Sequence, residues 1–143
     1  MSERGIPVLL TVKGRQSCAG ESDETELTTE GLLEETAEGW RLTYRETELT
    51  GLEGSTTCFT ITPGRVTLRR SGAVQSLMIF EEGERRAFRY ATAYGSFAME
   101  TETERIRWHM SARGGLVELR YRLRAEGQID LDSRVCLQVR EKH

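Results

Sequence analysis

Nowhere in the 143 residues does an apolar run approach the length that a bilayer-spanning helix needs, and Met1-Ser2-Glu3-Arg4-Gly5 lacks the pattern of a secretory leader. A cytoplasmic protein without membrane association is therefore expected. Cysteine is scarce. Cys18, Cys58 and Cys136 are odd in number and show no C-x-x-C spacing, so neither a disulfide framework nor a zinc site is suggested and free thiols are the default. Histidine is scarcer still, with only His109 and His143, far from any cysteine pair; no metal and no cofactor is expected. The chain also lacks a phosphate-cradling glycine loop and a nucleophile elbow, and a non-enzymatic protein is the expectation. An excess of charge of one sign is missing too. Twenty basic against 23 acidic residues leave a net charge of −3, which gives no global electrostatic case for nucleic acid or an acidic membrane.

What the chain does have is alternation. Val8, Leu10 and Val12 follow Pro7, which sits where a missing backbone donor is tolerated, and a strand over about Ile6 to Cys18 is expected. A polar turn over Gly20–Glu24 leads to Leu27, Thr29, Gly31 and Leu33 on one face. The same period of two recurs in Trp40, Leu42 and Tyr44, in Thr57, Phe59 and Ile61, and in Val66, Leu68 and Arg70. It returns in Ser76, Met78 and Phe80, in Phe88, Tyr90 and Thr92, and in Phe97, Met99, Thr101 and Thr103. Parity then switches to Ile106, Trp108 and Met110, which predicts a bulge near Glu104-Arg105. Val117, Leu119, Tyr121 and Leu123, then Leu131, Val135, Leu137 and Val139, complete the pattern, and no helical period competes with it. Eight to eleven short strands joined by glycine-bearing turns read as one all-β domain over residues 1–143. Because an open antiparallel meander exposes its edges, an up-and-down barrel is preferred over a two-sheet sandwich.

Two charges fall on the apolar face. A tight turn at Pro63-Gly64 would set Ile61 opposite Val66, Phe59 opposite Leu68 and Thr57 opposite Arg70, which turns Arg70 inward. Glu46 shares the inward side with Tyr44 across the loop Glu48–Gly54. Desolvating an unpaired charge costs several kcal/mol, so Glu46 is the expected partner of Arg70, with Tyr44, Thr57 and Tyr90 as neighbours. One reading makes this pair a structural device that fixes strand register. The other has Arg70 offer its guanidinium fork to a ligand carboxylate or phosphate at the barrel mouth.

Charge is uneven along the chain. Residues 21–53 carry 11 acidic and 2 basic side chains, and residues 65–143 carry 15 basic and 11 acidic. Arg105, Arg107, Arg120, Arg122 and Arg124 alternate with apolar residues and should form an outward stripe. A three-residue loop at Glu126-Gly127-Gln128 would place Arg124 opposite Asp130 and Arg122 opposite Asp132, an ordinary solvent-face pairing. Trp108 and Tyr121 point inward by parity, so no outward platform for base stacking is expected, and nucleic acid is not an expected partner.

Tyr44-x-Glu46, Thr50-Gly51-Leu52-Glu53-Gly54, Thr57, Val66-x-Leu68-x-Arg70-Ser71-Gly72-Ala73-Val74 and Phe80-Glu81-x-Gly83 resemble the pattern of the YwiB-like family of small bacterial proteins. Tyr94-Gly95, Thr103, Gly115 and Tyr121-x-Leu123 extend the resemblance over nearly the whole chain, with Ala93 standing where proline would be expected. The resemblance implies a calycin-like (lipocalin-like) β-barrel and supplies no catalytic residue. Barrels of that kind most often bind apolar or amphipathic small molecules. A binder of a small amphipathic or anionic ligand is therefore expected, with Tyr44, Glu46, Thr57, Arg70, Tyr90, Met99 and Tyr121 as candidate ligand residues. The alternative is a filled barrel that serves as a protein-interaction module, in one form a homodimer.

Overall fold

In the computed structural model, which describes residues 5–47, 52–125 and 129–142, alternation becomes ten antiparallel strands. They are β1 (Ile6–Cys18), β2 (Glu21–Glu35), β3 (Trp40–Arg45), β4 (Ser55–Thr62), β5 (Arg65–Gly72), β6 (Ser76–Phe80), β7 (Arg85–Thr92), β8 (Gly95–Ser111), β9 (Gly114–Ala125) and β10 (Ile129–Glu141). Among the described residues there is no helix, and so none long and apolar enough to cross a membrane. The loop expected at Glu48–Gly54 lies in part, and the loop Glu126-Gly127-Gln128 wholly, outside the described residues.

The strands form one sheet in the order β6-β5-β4-β3-β2-β1-β10-β9-β8-β7. Because β1 pairs with β2 on one side and β10 on the other, the two ends of the chain are stitched into the middle of the sheet. The sheet curls until its edges β6 and β7 meet. There Gln75 and Ala91 exchange two backbone hydrogen bonds of 2.9 Å. The β6–β7 turn is held to β8 by Gly83 N to Thr103 O (2.8 Å) and Thr103 N to Glu84 O (3.1 Å). The result is a nearly closed up-and-down barrel, consistent with a calycin-like fold, whose two edges are joined through the Gln75–Ala91 bridge.

Inward parity holds through the core. Val8, Leu10, Leu33, Leu42, Ile61, Val66, Phe80, Val117 and Leu137 have no solvent exposure and plug one end of the barrel. The Phe80 and Tyr121 rings stack at 4.8 Å between centroids with a 53° tilt, at the level where the plug gives way to polar side chains. The register shift on β8 falls between Thr103 and Arg105, as the parity switch predicts, leaving Glu104 as the extra residue of the bulge.

Two expectations need correction. Glu21–Glu24 is the first part of β2 rather than a turn, and the reversal is confined to Ala19 and Gly20, since Cys18 pairs directly with Glu21. Ala19 has φ of 51° and Gly20 of 87°, so both central residues are left-handed, and alanine in that conformation gives no advance sign of a turn. Ala19→Gly should raise stability by about 0.5–1 kcal/mol, read as a shift of the urea midpoint at constant slope. Phe97 is inward by parity, yet half of it is exposed, because the β7–β8 hairpin outruns the rim of the barrel and carries the fully exposed Tyr94 at its tip.

Candidate functional site

Above the apolar plug, cross-strand register assembles a polar cluster. Tyr44 on β3 pairs with Thr57 on β4, Thr57 with Arg70 on β5, and Arg70 with Ser76 on β6. Glu46 lies just beyond β3 and extends its ladder by donating its backbone N–H to Ser55 O at 2.9 Å. These residues share one row because the turn at Pro63-Gly64 fixes Ile61 opposite Val66 and hence Thr57 opposite Arg70.

Inside the row, Arg70 Nε stands 3.7 Å from Glu46 Oε2 in an ion pair whose side chains are 18% and 2% exposed. The same carboxylate oxygen accepts a hydrogen bond from the Thr57 hydroxyl. Arg70 Nε itself is buried and makes no hydrogen bond among the described residues. At 3.7 Å the pair is held by charge rather than by a directed N–H···O contact. The guanidinium is therefore paired with Glu46 and still has donor capacity.

Two tyrosines approach from opposite walls. The Tyr44 hydroxyl is pushed far above its usual range, first by burial, then by the negative charge of Glu46, with Arg70 working in the opposite sense. Tyr121, opposite Ser133 in the β9–β10 register, is also raised, first by burial, with Arg70 and the Ser133 hydroxyl pulling the other way. Arg70 thus acts electrostatically on both walls of the lumen. Both phenols stay protonated and act as hydrogen-bond donors at any physiological pH.

The cluster faces a cavity of about 1130 Å³ that opens at the end away from the plug. Tyr44, Glu46, Arg70, Tyr90, Met99 and Tyr121 all line it. Thr57 does not; it is fully buried and donates its hydroxyl to the Glu46 carboxylate. Tyr90 and Met99 are half-buried and line the cavity from β7 and β8. The remaining wall is chiefly apolar, with Phe59, Leu68, Met78, Phe88 and Leu123 among its residues.

Sequence reasoning missed Ser133, which lines the cavity and continues the alternation Leu131-x-Ser133-x-Val135. A period of two was enough to find it, but a serine among aliphatic residues draws no notice. Outside the lumen, His109 is exposed and Cys58 half-buried, with the Thr43 hydroxyl 3.6 Å from its sulfur. Cys18, Cys58 and Cys136 are all free thiols. Among the described residues, no three His, Cys, Asp or Glu side chains gather as they would around a metal ion.

A family described as "Domain of unknown function (DUF1934)" matches residues 10–137. The crystal structure of ywiB protein from Bacillus subtilis is similar in fold, with a TM-score of 0.89 and 21% sequence identity over 97% of this chain and 94% of that one. No curated protein matches the sequence.

Proposed function

The chain belongs to the DUF1934 family, a domain of unknown function, and from its lumen we propose that it is a non-enzymatic, cytoplasmic binder of a small amphipathic anion. A carboxylate or phosphate head would sit against Arg70 and the hydroxyls of Tyr44 and Tyr121, and an apolar tail would run along Phe59, Leu68, Met78 and Phe88. The observation that carries this reading is a half-buried guanidinium whose Nε makes no hydrogen bond among the described residues, lining a largely apolar cavity. The cavity is of the size that accepts a drug-sized ligand, which favours this reading over a filled interaction module. The chemistry of the lumen favours binding over catalysis, because both phenols are held protonated and the carboxylate already accepts from Thr57.

The test is a titration with long-chain fatty acids, alkyl phosphates and the corresponding neutral alcohols, followed by native mass spectrometry and calorimetry. One anion per barrel is expected, with the alcohols binding more weakly. Arg70→Gln should weaken anion binding about tenfold or more, the size of a lost charge-assisted hydrogen bond. Glu46→Gln should tighten it, because the head group then no longer competes with a fixed carboxylate. Failure of every amphiphile to saturate the protein, or equal affinity in the Arg70→Gln variant, would remove the proposal.

A further inference from the structure

The outer face of the barrel carries a second charged site, two of whose residues, Arg15 and Arg134, also border the lumen cavity. Through the paired registers, Arg15 on β1 lies opposite Arg134 on β10, Arg134 opposite Arg120 on β9, and Arg120 opposite Arg105 on β8. Four arginines thus stand side by side on four adjacent strands, and with strands about 4.8 Å apart the row is about 14 Å long. The bulge on β8 is what completes it. Were the Thr103–Tyr121 register continued without a shift, Glu104 would face Arg120; the extra residue brings Arg105 there instead.

Like charges directly opposite one another weaken a sheet, so strand pairing alone gives no reason for such a row. Neutralisation is also incomplete. Arg120 pairs with Glu104 (3.0 Å) and Asp132 (3.6 Å), and Arg15 approaches Glu24 only to 4.0 Å. Arg134 and Arg105 make no ion pair or side-chain hydrogen bond among the described residues. The row lines a solvent-open groove of about 1010 Å³, into which Lys13 and Arg107 also project.

We infer that this groove binds the di- or triphosphate group of a small molecule. Long, flexible arginine side chains on neighbouring strands can converge on one phosphate chain, and each guanidinium fork can grip a phosphate through two parallel N–H···O contacts. Four carboxylates, Glu24, Glu26, Glu104 and Glu118, line the groove as well, and their charge selects against a longer polyanion. No aromatic side chain lines the groove to stack a base, which sets the site apart from a surface for single-stranded nucleic acid.

The probe is inorganic tripolyphosphate, titrated by calorimetry at low ionic strength against orthophosphate and a short oligothymidylate. Tripolyphosphate should bind at one site per chain, more tightly than either comparator, and weaken as salt is raised. The Arg105→Gln/Arg134→Gln variant breaks no ion pair and should melt no lower than the parent, yet lose tripolyphosphate binding about tenfold or more. Arg134→Lys, which keeps the charge without the planar fork, should retain part of the affinity. Absence of saturable tripolyphosphate binding, or binding that survives the double substitution, overturns the assignment. Tighter binding of oligothymidylate also overturns it and makes the groove a nucleic-acid surface.

Discussion

Arg70→Met should lower the stability of the barrel by about 3 kcal/mol at neutral pH, a fall in Tm of roughly 10 °C for a chain of this length. The size follows from the charge left stranded in the interior rather than from the attraction removed. The Glu46 side chain is 2% exposed and would keep the neutral hydroxyl donors of Thr57 and Tyr44 while losing the guanidinium that balances its charge. Arg70 is 18% exposed, so some screening by water already reaches the pair and the effect belongs at the lower end for buried ion pairs. Removing both charges is a different matter. Glu46→Gln/Arg70→Met takes both members of the pair out of the interior, and its stability should return to within about 1 kcal/mol of the parent or exceed it. Urea melts of the two single variants and the double form a cycle with a coupling of about 2 kcal/mol or more. Additive effects would mean that the two side chains act independently and that the register of β3, β4 and β5 owes nothing to their attraction.

That pair was legible in the sequence because two local rules suffice to place it. Alternation assigns Glu46 and Arg70 to the inner face, and the Pro63-Gly64 turn sets Thr57 opposite Arg70, which is the register found. The bulge at Glu104 was legible for the same reason, since a change of parity within one strand has few other causes. The expected pairing of Arg124 with Asp130 and Arg122 with Asp132 is the backbone register of β9 and β10. Arg124 does reach Asp130, at 3.9 Å, but the closer contacts are diagonal, with Arg122 at 2.9 Å from Asp130 and Arg120 at 3.6 Å from Asp132. Sheet twist moves long side chains onto diagonal neighbours, and sequence spacing carries no measure of twist.

Features that depend on closure were out of reach. The outer arginine row joins position 15 to positions 105, 120 and 134, and it exists only because β1 pairs with β10. Reading outward arginines strand by strand finds Arg105 and Arg120 and misses Arg15 and Arg134, which face each other across more than a hundred residues of chain. The exposure of Phe97 is a similar case. Parity gives the face of a strand but not the height at which the barrel ends, and β7 and β8 continue past it. How far the lumen is filled depends on strand tilt and stagger in the same way.

Above pH 10 the protein should lose stability steeply, and two tyrosines should account for most of that loss. An exposed phenol in the unfolded chain releases its proton near pH 10, whereas Tyr44 and Tyr121 are held protonated to higher pH, in both cases with burial as the first cause. Between those limits the folded state carries more protons than the unfolded state, so stability falls as pH rises. The slope approaches about 1.4 kcal/mol per pH unit for each tyrosine, and both contributions are absent below the unfolded value. Tyr44→Phe and Tyr121→Phe should each flatten the dependence of the urea midpoint on pH, and the double variant should remove most of it. An unchanged slope in the double variant would place the alkaline transition elsewhere in the chain. Arg70 links this result to the ion pair, because its charge opposes the upward shift of both phenols. In the Glu46→Gln/Arg70→Met background, Tyr121 loses that opposition and keeps its proton to still higher pH, whereas Tyr44 loses the raising effect of Glu46 along with the lowering effect of Arg70. Absorbance titration of the phenolates in the two backgrounds should therefore move the Tyr121 signal upward more than that of Tyr44.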